Sequence, residues 1–316
     1  MRETWQGILG EARFQKPLCK WLTKSNLLRK IFKRRPTTAE RLASWKKPGD
    51  FFAYLDSYHD HGRTAFGFFG EMVPAAGKKV LDVGCGQAVL SCRYAQAGAQ
   101  TVVGCDRNYE GWPLRNAKTY LERKRLQHRV LLLQGDAAAL PVRDRSFDLI
   151  VMNDVGDHIV ELGQALQECY RVLTPGGHVV ITFIPWYHPG GFHMMNYISI
   201  PYAHLIFSEK AIVETLLEMA EEDPAIAKSI SGLRKNPPPA SFDDMDIILS
   251  RVTIAAFKRL LKETDFRISH FRLLGFGHKT GHRLLAGALN SLTRIPVINE
   301  LFTSRINCVL QKPGKA

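Results

Sequence analysis

Between Val80 and Ile184 the chain alternates short apolar runs with amphipathic stretches, and this rhythm constrains its fold more than any other feature. Strands are expected at Lys79–Val83, Thr101–Cys105, Val130–Leu133, Phe147–Met152 and His178–Phe183, with helices at Val89–Gln96, Trp112–Lys124 and Leu162–Leu173. A strand apolar along its whole length is covered on both faces, and helices placed between such strands serve as parallel crossovers. The expected fold is therefore α/β, a doubly wound (Rossmann-like), mostly parallel sheet. Gly176-Gly177 after Pro175 is expected to turn the chain into the fifth strand. After Ile184 the rhythm stops. Residues 185–250 are rich in Pro, His, Tyr and Met, with one expected helix at Ser208–Glu222 and an irregular LRKNPPPASFDD stretch. A helix at Thr253–Thr264 and strands at Phe266–Leu274 and Arg305–Gln311 follow. The chain divides on this reading into a basic amphipathic arm (1–50), a ligand-binding core (51–184), a lid insertion (185–250) and the C-terminal part of the core (251–316).

With 316 residues, 45% of them hydrophobic, the chain can bury a sizeable core. No apolar run is long enough to span a membrane, and the first residues lack the apolar stretch of a secretory signal. None of the six cysteines forms a CxxC pair, so reduced thiols in a cytoplasmic setting are expected. The net charge is +13, and residues 1–50 hold 13 Lys and Arg against 4 Asp and Glu. That arm interleaves its charge with bulky apolar residues at helical spacing, among them Trp5, Phe14, Leu18, Trp21 and Leu22. Thr38 is a candidate cap for a short helix after Pro36. Three uses are open for the arm, centred on LRKIFKRR (28–35): packing on the body, peripheral contact with an anionic membrane, or nucleic-acid binding. Its apolar content favours the first two.

The strongest local signal is VLDVGCGQAVLS, residues 80–91. An apolar strand ends in Gly84-Cys85-Gly86 and a helix follows, which places a close-approach ligand turn at the sheet's crevice. The second strand ends in Asp106, at a spacing suited to ribose hydroxyls. Two details oppose a nicotinamide or flavin cofactor. Position 89 is Val, so GxGxxG is broken, and Asp82 stands two residues before the first glycine. A carboxylate there repels a pyrophosphate and suits a ligand bearing positive charge.

VLDVGCGQA, VVGCD, LLLQGDAAALPVRDRSFDLIVMNDVGDHI and LQECYRVLTPGGHVVIT, in that order, resemble the motifs of class I S-adenosylmethionine-dependent methyltransferases, particularly the bacterial small-molecule branch. The resemblance covers roughly residues 78–184. It implies S-adenosylmethionine as cofactor and an antiparallel last strand. It implies that Gly84, Cys85 and Gly86 meet the cofactor's methionine part and that Asp82 helps hold its amino group. Asp106, with neighbouring Arg107, would serve the ribose, Asp136 and Ala137 the adenine, and Asn153 would lie beside the reacting methyl. Two departures stand out. Ala88 replaces a frequent third glycine, which calls for negative φ there. GDHI (156–159) replaces the common LEHI-like segment.

Outside the motifs, Tyr58, His59, His61 and Arg63 either line the mouth of the cofactor site, with Arg63 pairing the cofactor carboxylate, or form a solvated helix face. Asp106 and Asp136 have bland alternatives as a helix cap and a turn residue. Trp186, Tyr187, Tyr197 and Tyr202 would form an aromatic wall over the acceptor. His188, His193 and His204 are candidate bases, with packing histidines as the plain alternative, and no metal is expected because no tight ligand spacing occurs. The implied function is methyl transfer to an O, N or C nucleophile of a small, fairly hydrophobic acceptor, in a cytoplasmic protein with possible association to membrane. The alternatives are an RNA or protein methyltransferase gripping its substrate with the arm, and a cofactor-binding non-enzyme. NDVG in place of an NPPY-type motif opposes adenine-N6 and glutamine methylation. The lack of a YxxxK pair after the fourth strand opposes a nicotinamide reductase.

Overall fold

The computed structural model describes residues 12–25, 48–107, 114–194, 197–198, 200–229, 239, 241–243, 249–275, 287 and 291–314. The expected cap at Thr38, the LRKIFKRR run and most of LRKNPPPASFDD lie outside the described residues. In chain order, α1 (Ala12–Lys24) and α2 (Pro48–Met72) precede β1 (Lys79–Val83), α3 (Val89–Gln96), β2 (Thr101–Asp106), α4 (Leu114–Lys124) and β3 (Val130–Gln134). Then come β4 (Phe147–Asn153), a 3-10 turn (Gly156–His158), α5 (Leu162–Val172) and β5 (Leu173–Phe183). The remainder comprises α6 (Ala203–Ile206), α7 (Glu209–Glu222), α8 (Pro224–Ser229), α9 (Ile254–Lys262), β6 (Arg267–Gly275), α10 (Ile298–Phe302) and β7 (Thr303–Gln311).

One sheet of seven strands runs in the order β3-β2-β1-β4-β5-β7-β6. The first five are parallel, and β7 pairs antiparallel with both β5 and β6. β1, β2 and β4 are buried almost end to end, as central strands covered on both faces must be. Alternate residues supply two separate cores. Leu81, Val83, Ile150, Met152 and Ile181 pack with α5 and α9, while Val80, Val102, Leu149, Val151 and Val180 pack with α2, α3 and α4. The strand order reverses between β1 and β4, so the crevice beyond their C-terminal ends is where a doubly wound sheet binds ligands.

The fifth strand departs from expectation. Pro175-Gly176-Gly177 does not precede β5 but lies within it, because the β7 end pairs with it. The Gly176 N–H donates to Lys312 O and the Lys312 N–H to Gly177 O, each at 2.9 Å. Gly176 takes φ +82, and the β4–β5 register slips between Phe147 and Leu149.

Residues after β5 build a third core of their own. Trp186, Phe192, Ile198, Phe207, Leu216 and Phe242 are buried together, and Cys19 of α1 joins them with no exposure. Helix α7 begins one residue after its expected start, and Ser208 caps it: Ser208 Oγ accepts from the Ala211 N–H at 3.2 Å. Helix α1 lies along α7 and is joined to it by Lys16–Glu218 (2.6 Å), Lys20–Glu218 (2.8 Å) and Lys20–Glu222 (2.9 Å). Both helices space these charges four residues apart, which puts each set on one face. Gln15 Oε1 accepts from the Ser208 N–H, also at the start of α7. All six cysteines are buried free thiols.

Candidate active site

The turn after β1 is held in place from β2. The Gly86 N–H donates to Asp106 Oδ2 at 2.8 Å, and the Gly84 N–H donates to Cys105 O at 2.8 Å. Asp106 therefore serves the shape of the turn whatever else it binds. Gly84 (φ +72) and Gly86 (φ +50) both adopt the left-handed region, but for different surroundings. A Cβ at Gly84 would stand 2.3 Å from Val155 Cγ2, so this glycine lets the β1 turn meet the β4 turn. A Cβ at Gly86 would meet nothing within 4 Å, so the backbone there faces open space, as a ligand cradle requires. Cys85 between them is buried, its sulfur close to the Cα of Gly104.

Ala88 corrects the expectation made for it. Its φ is +58, the conformation a third glycine would take easily. The cost is offset locally: the methyl is fully buried among the apolar residues of the α3 face, and the Ala88 N–H donates to Cys85 O at 2.8 Å.

Asp82 is buried rather than presented at the surface of the crevice. Burial pushes its carboxyl up to about 7, against the hydrogen bond that Ser91 Oγ donates to Oδ2 at 2.6 Å; the nearby Asp106 charge also raises it. A buried carboxyl under this strain is stabilised by an arriving cation and destabilised by an arriving anion. That property fits the ammonium and sulfonium of S-adenosylmethionine and opposes a diphosphate.

Asp136 is also a turn residue. Its Oδ1 accepts from the Ala138 N–H at 2.9 Å, while Oδ2 lies 3.7 Å from Arg107 Nε in an exposed pair; Ala137 stands between, partly buried. Asn153 ends β4, where its amide donates to Asp154 Oδ2 and its carbonyl accepts from Thr182 Oγ1, both at 3.3 Å. Arg305 of β7 reaches Asp154 Oδ1 at 2.7 Å and closes this polar group. Arg63 lies in α2, and its side chain, like those of Tyr58, His59 and His61, is outside the described residues.

Of the three histidines expected as bases, the structure brings His193 to the strand ends. His204 is fully buried, stacks on Phe192 at 4.7 Å and faces Trp186 O at 2.8 Å through Nε2. These are packing contacts. His188 Nδ1 accepts from the Gly190 N–H at 2.9 Å within its own turn. The aromatic wall is likewise turned inward: Trp186 is buried and Tyr187 and Tyr197 pack against the third core, while Tyr202 O–H donates to Leu301 O at 3.0 Å.

His193, held at φ +59, sets Nε2 3.0 Å from Asp157 Oδ2, and its ring meets that of His158 edge-on at 4.6 Å. Burial pushes the Asp157 carboxyl up, but the hydrogen bond with His193 and the two imidazoles outweigh it and hold the group below its ordinary value. Sequence reasoning noticed GDHI but assigned no role to Asp157. Its partner is 36 residues away, and the one local signal was an acid-histidine pair directly after a strand end.

A model of the methyltransferase domain family matches residues 81–181. The ubiquinone biosynthesis O-methyltransferase of Pseudomonas entomophila is 29% identical over 140 residues, 44% of this chain and 57% of that protein. The sterol 24-C-methyltransferase of Pneumocystis carinii is 35% identical over 101 residues, 32% of this chain and 26% of that protein. This chain thus spans little more than half the length of the first relative and about a quarter of the second. Among solved structures, the [4+2]-cyclase SpnF is 18% identical, with 80% of this chain and 82% of that one covered, at a TM-score of 0.49. The motif order and the sheet order agree with that match, and over residues 81–181 the chain is similar to the methyltransferase domain family.

Proposed function

We propose that the protein transfers a methyl group to an oxygen of a small, fairly hydrophobic acceptor. The observation that carries this reading is the placement of the Asp157–His193 pair directly after β4, whose turn touches the glycine turn of β1 through Val155. When bound, S-adenosylmethionine supplies a methyl group on a positively charged sulfur. Asp82 holds the cofactor's ammonium, and Gly84, Cys85 and Gly86 bring the backbone against its methionine part. Asp106, beside Arg107, takes the ribose, Asp136 and Ala137 the adenine, and Arg63 the carboxylate. Asn153 borders the methyl, its side chain fixed by Thr182. On the acceptor side a hydroxyl must lose its proton to become a good nucleophile, and Asp157, His158 and His193 are the polar groups at that place. The relatives' printed activities, one on oxygen and one on carbon, support a small-molecule acceptor.

The test is a panel of lipophilic phenols and alcohols incubated with the protein and methyl-labelled cofactor, read by mass spectrometry. Label is expected on a hydroxyl of at least one small acceptor. Label appearing on RNA or protein instead, with none on the panel, refutes the reading.

Presentation of the acceptor at a membrane surface is a second part of this proposal. On α1 the lysines face the α7 glutamates, while Trp21 (69% exposed) and Leu18 (38%) point outward. An indole and a leucine on the outside of a basic arm suit a headgroup interface. Among the described residues no helix is long and apolar enough to cross a membrane. Co-sedimentation with anionic vesicles is expected, and the double substitution Leu18→Ala, Trp21→Ala should weaken it. Equal binding of both proteins excludes this face.

A further inference from the structure

Asp157, His158 and His193 each offer a ligand atom, and the three atoms lie within 4.8 Å of one another. Two come from the 3-10 turn after β4 and the third from the lid, so the tertiary structure alone assembles them. Asp157 is 6% exposed, and its Oδ1 meets no hydrogen-bond donor among the described residues. A buried carboxylate oxygen left over after the contact with His193 is costly unless something positive fills its place. The turn is anchored independently of any ligand: the Ser250 N–H donates to Asp157 O at 2.8 Å, and Ser250 Oγ donates to Gly156 O at 3.1 Å.

We infer that Asp157, His158 and His193 bind a single divalent cation of the zinc, cobalt, nickel or iron type. Two imidazoles and one carboxylate are a donor set for such ions, whereas magnesium and calcium favour oxygen alone. Metal–ligand bonds of about 2 Å place tetrahedral ligand atoms roughly 3.4 Å apart, so the observed spacing needs only a small inward movement of the partly exposed imidazoles. Three protein ligands leave a position open. Resting on the function proposed above, that position takes the acceptor hydroxyl oxygen. The cation lowers the hydroxyl's pKa and its proton leaves to water. The new O–C bond then forms as the C–S bond breaks, and the sulfur keeps the electron pair as a neutral thioether.

The experiment is Co2+ titration of the chelator-treated, full-length protein, followed by visible absorption, with S-adenosylmethionine calorimetry on the same samples. The wild type should develop the intense d–d bands of a four- or five-coordinate Co2+ site, saturating at one ion per chain and removed by Zn2+ but not Mg2+. His193→Ala and His158→Ala should each weaken binding by about tenfold or more while keeping their circular dichroism and their cofactor binding. Asp157→Asn is a further variant, but the two histidine variants decide the matter if it does not fold. Wild type that leaves Co2+ in its six-coordinate aqueous spectrum overturns the inference, as do histidine variants that bind like wild type. Cofactor binding without Co2+ binding removes only the metal site. Co2+ binding without cofactor binding removes only the methyltransferase reading.

Discussion

Asp82 shows how a single buried group can work against the fold and for the site. Its carboxyl titrates near 7 in the folded protein and near 3.8 in an exposed chain. The folded state therefore holds this proton more tightly, and the group's contribution to stability falls as pH rises from about 4 to about 7. Asp82→Asn should abolish that fall and stabilise the cofactor-free protein above pH 7, by up to about 4 kcal/mol if the whole shift is relieved, seen as a raised melting temperature. The same substitution should weaken S-adenosylmethionine binding. In the wild type, cofactor affinity should climb with pH until about 7 and then level off, because a cationic ligand favours the carboxylate; calorimetry at several pH values checks both points. Gly84 makes the opposite kind of prediction. Its φ and the 2.3 Å approach of Val155 to a hypothetical Cβ mean that Gly84→Ala should cost roughly 2–4 kcal/mol of stability, measured by denaturant unfolding. Gly86 lacks that clash, so Gly86→Ala should cost less stability while still impairing cofactor binding.

At the scale of elements, the parallel strands and their helices were legible because burial on both faces writes continuous apolar runs into a sequence. β1 and α3 match their expected ranges residue for residue, and β2 and β4 differ from theirs by a single residue. The helical spacing of α1 was also legible, but its partner was not. Lys16 and Lys20 face Glu218 and Glu222 across nearly two hundred residues, and only the matching four-residue spacing of the two charge rows hinted at it. Such partly exposed pairs each contribute little, and the apolar seam that buries Cys19 stabilises the docked helix more. Burial also pushes the Cys19 thiol up to about 11. Alkylation of Cys19 should therefore be slow in the native protein and should report undocking of α1. Lys20→Glu, which places like charges against Glu218 and Glu222, should speed that alkylation several-fold, followed by mass spectrometry. An unchanged rate would show that the charge rows do not hold the helix.

For the molecule as a whole, three cores rather than one set its behaviour. Two clothe the sheet, and the third joins the residues after β5 to α1. A segment with its own core should open as a unit. Phe207→Ala, which empties a fully buried position in the third core, should remove about 3–5 kcal/mol there and raise hydrogen exchange in α7 and α1 together, with β1 and β4 still protected. Uniform loss of protection through the sheet would contradict this division. What the amino-acid order determined by itself was local: strand and helix periodicity, the glycine turn, the acids at the ends of β1 and β2, and through them the fold and the cofactor class. These follow from backbone conformation and from burial patterns within a dozen residues. Tertiary structure alone decided which aromatic residues turned inward after β5, which of three histidines reached the strand ends, and that Asp157 and His193 would meet. Such contacts depend on how separate elements pack, and distance along the chain carries no record of distance in space.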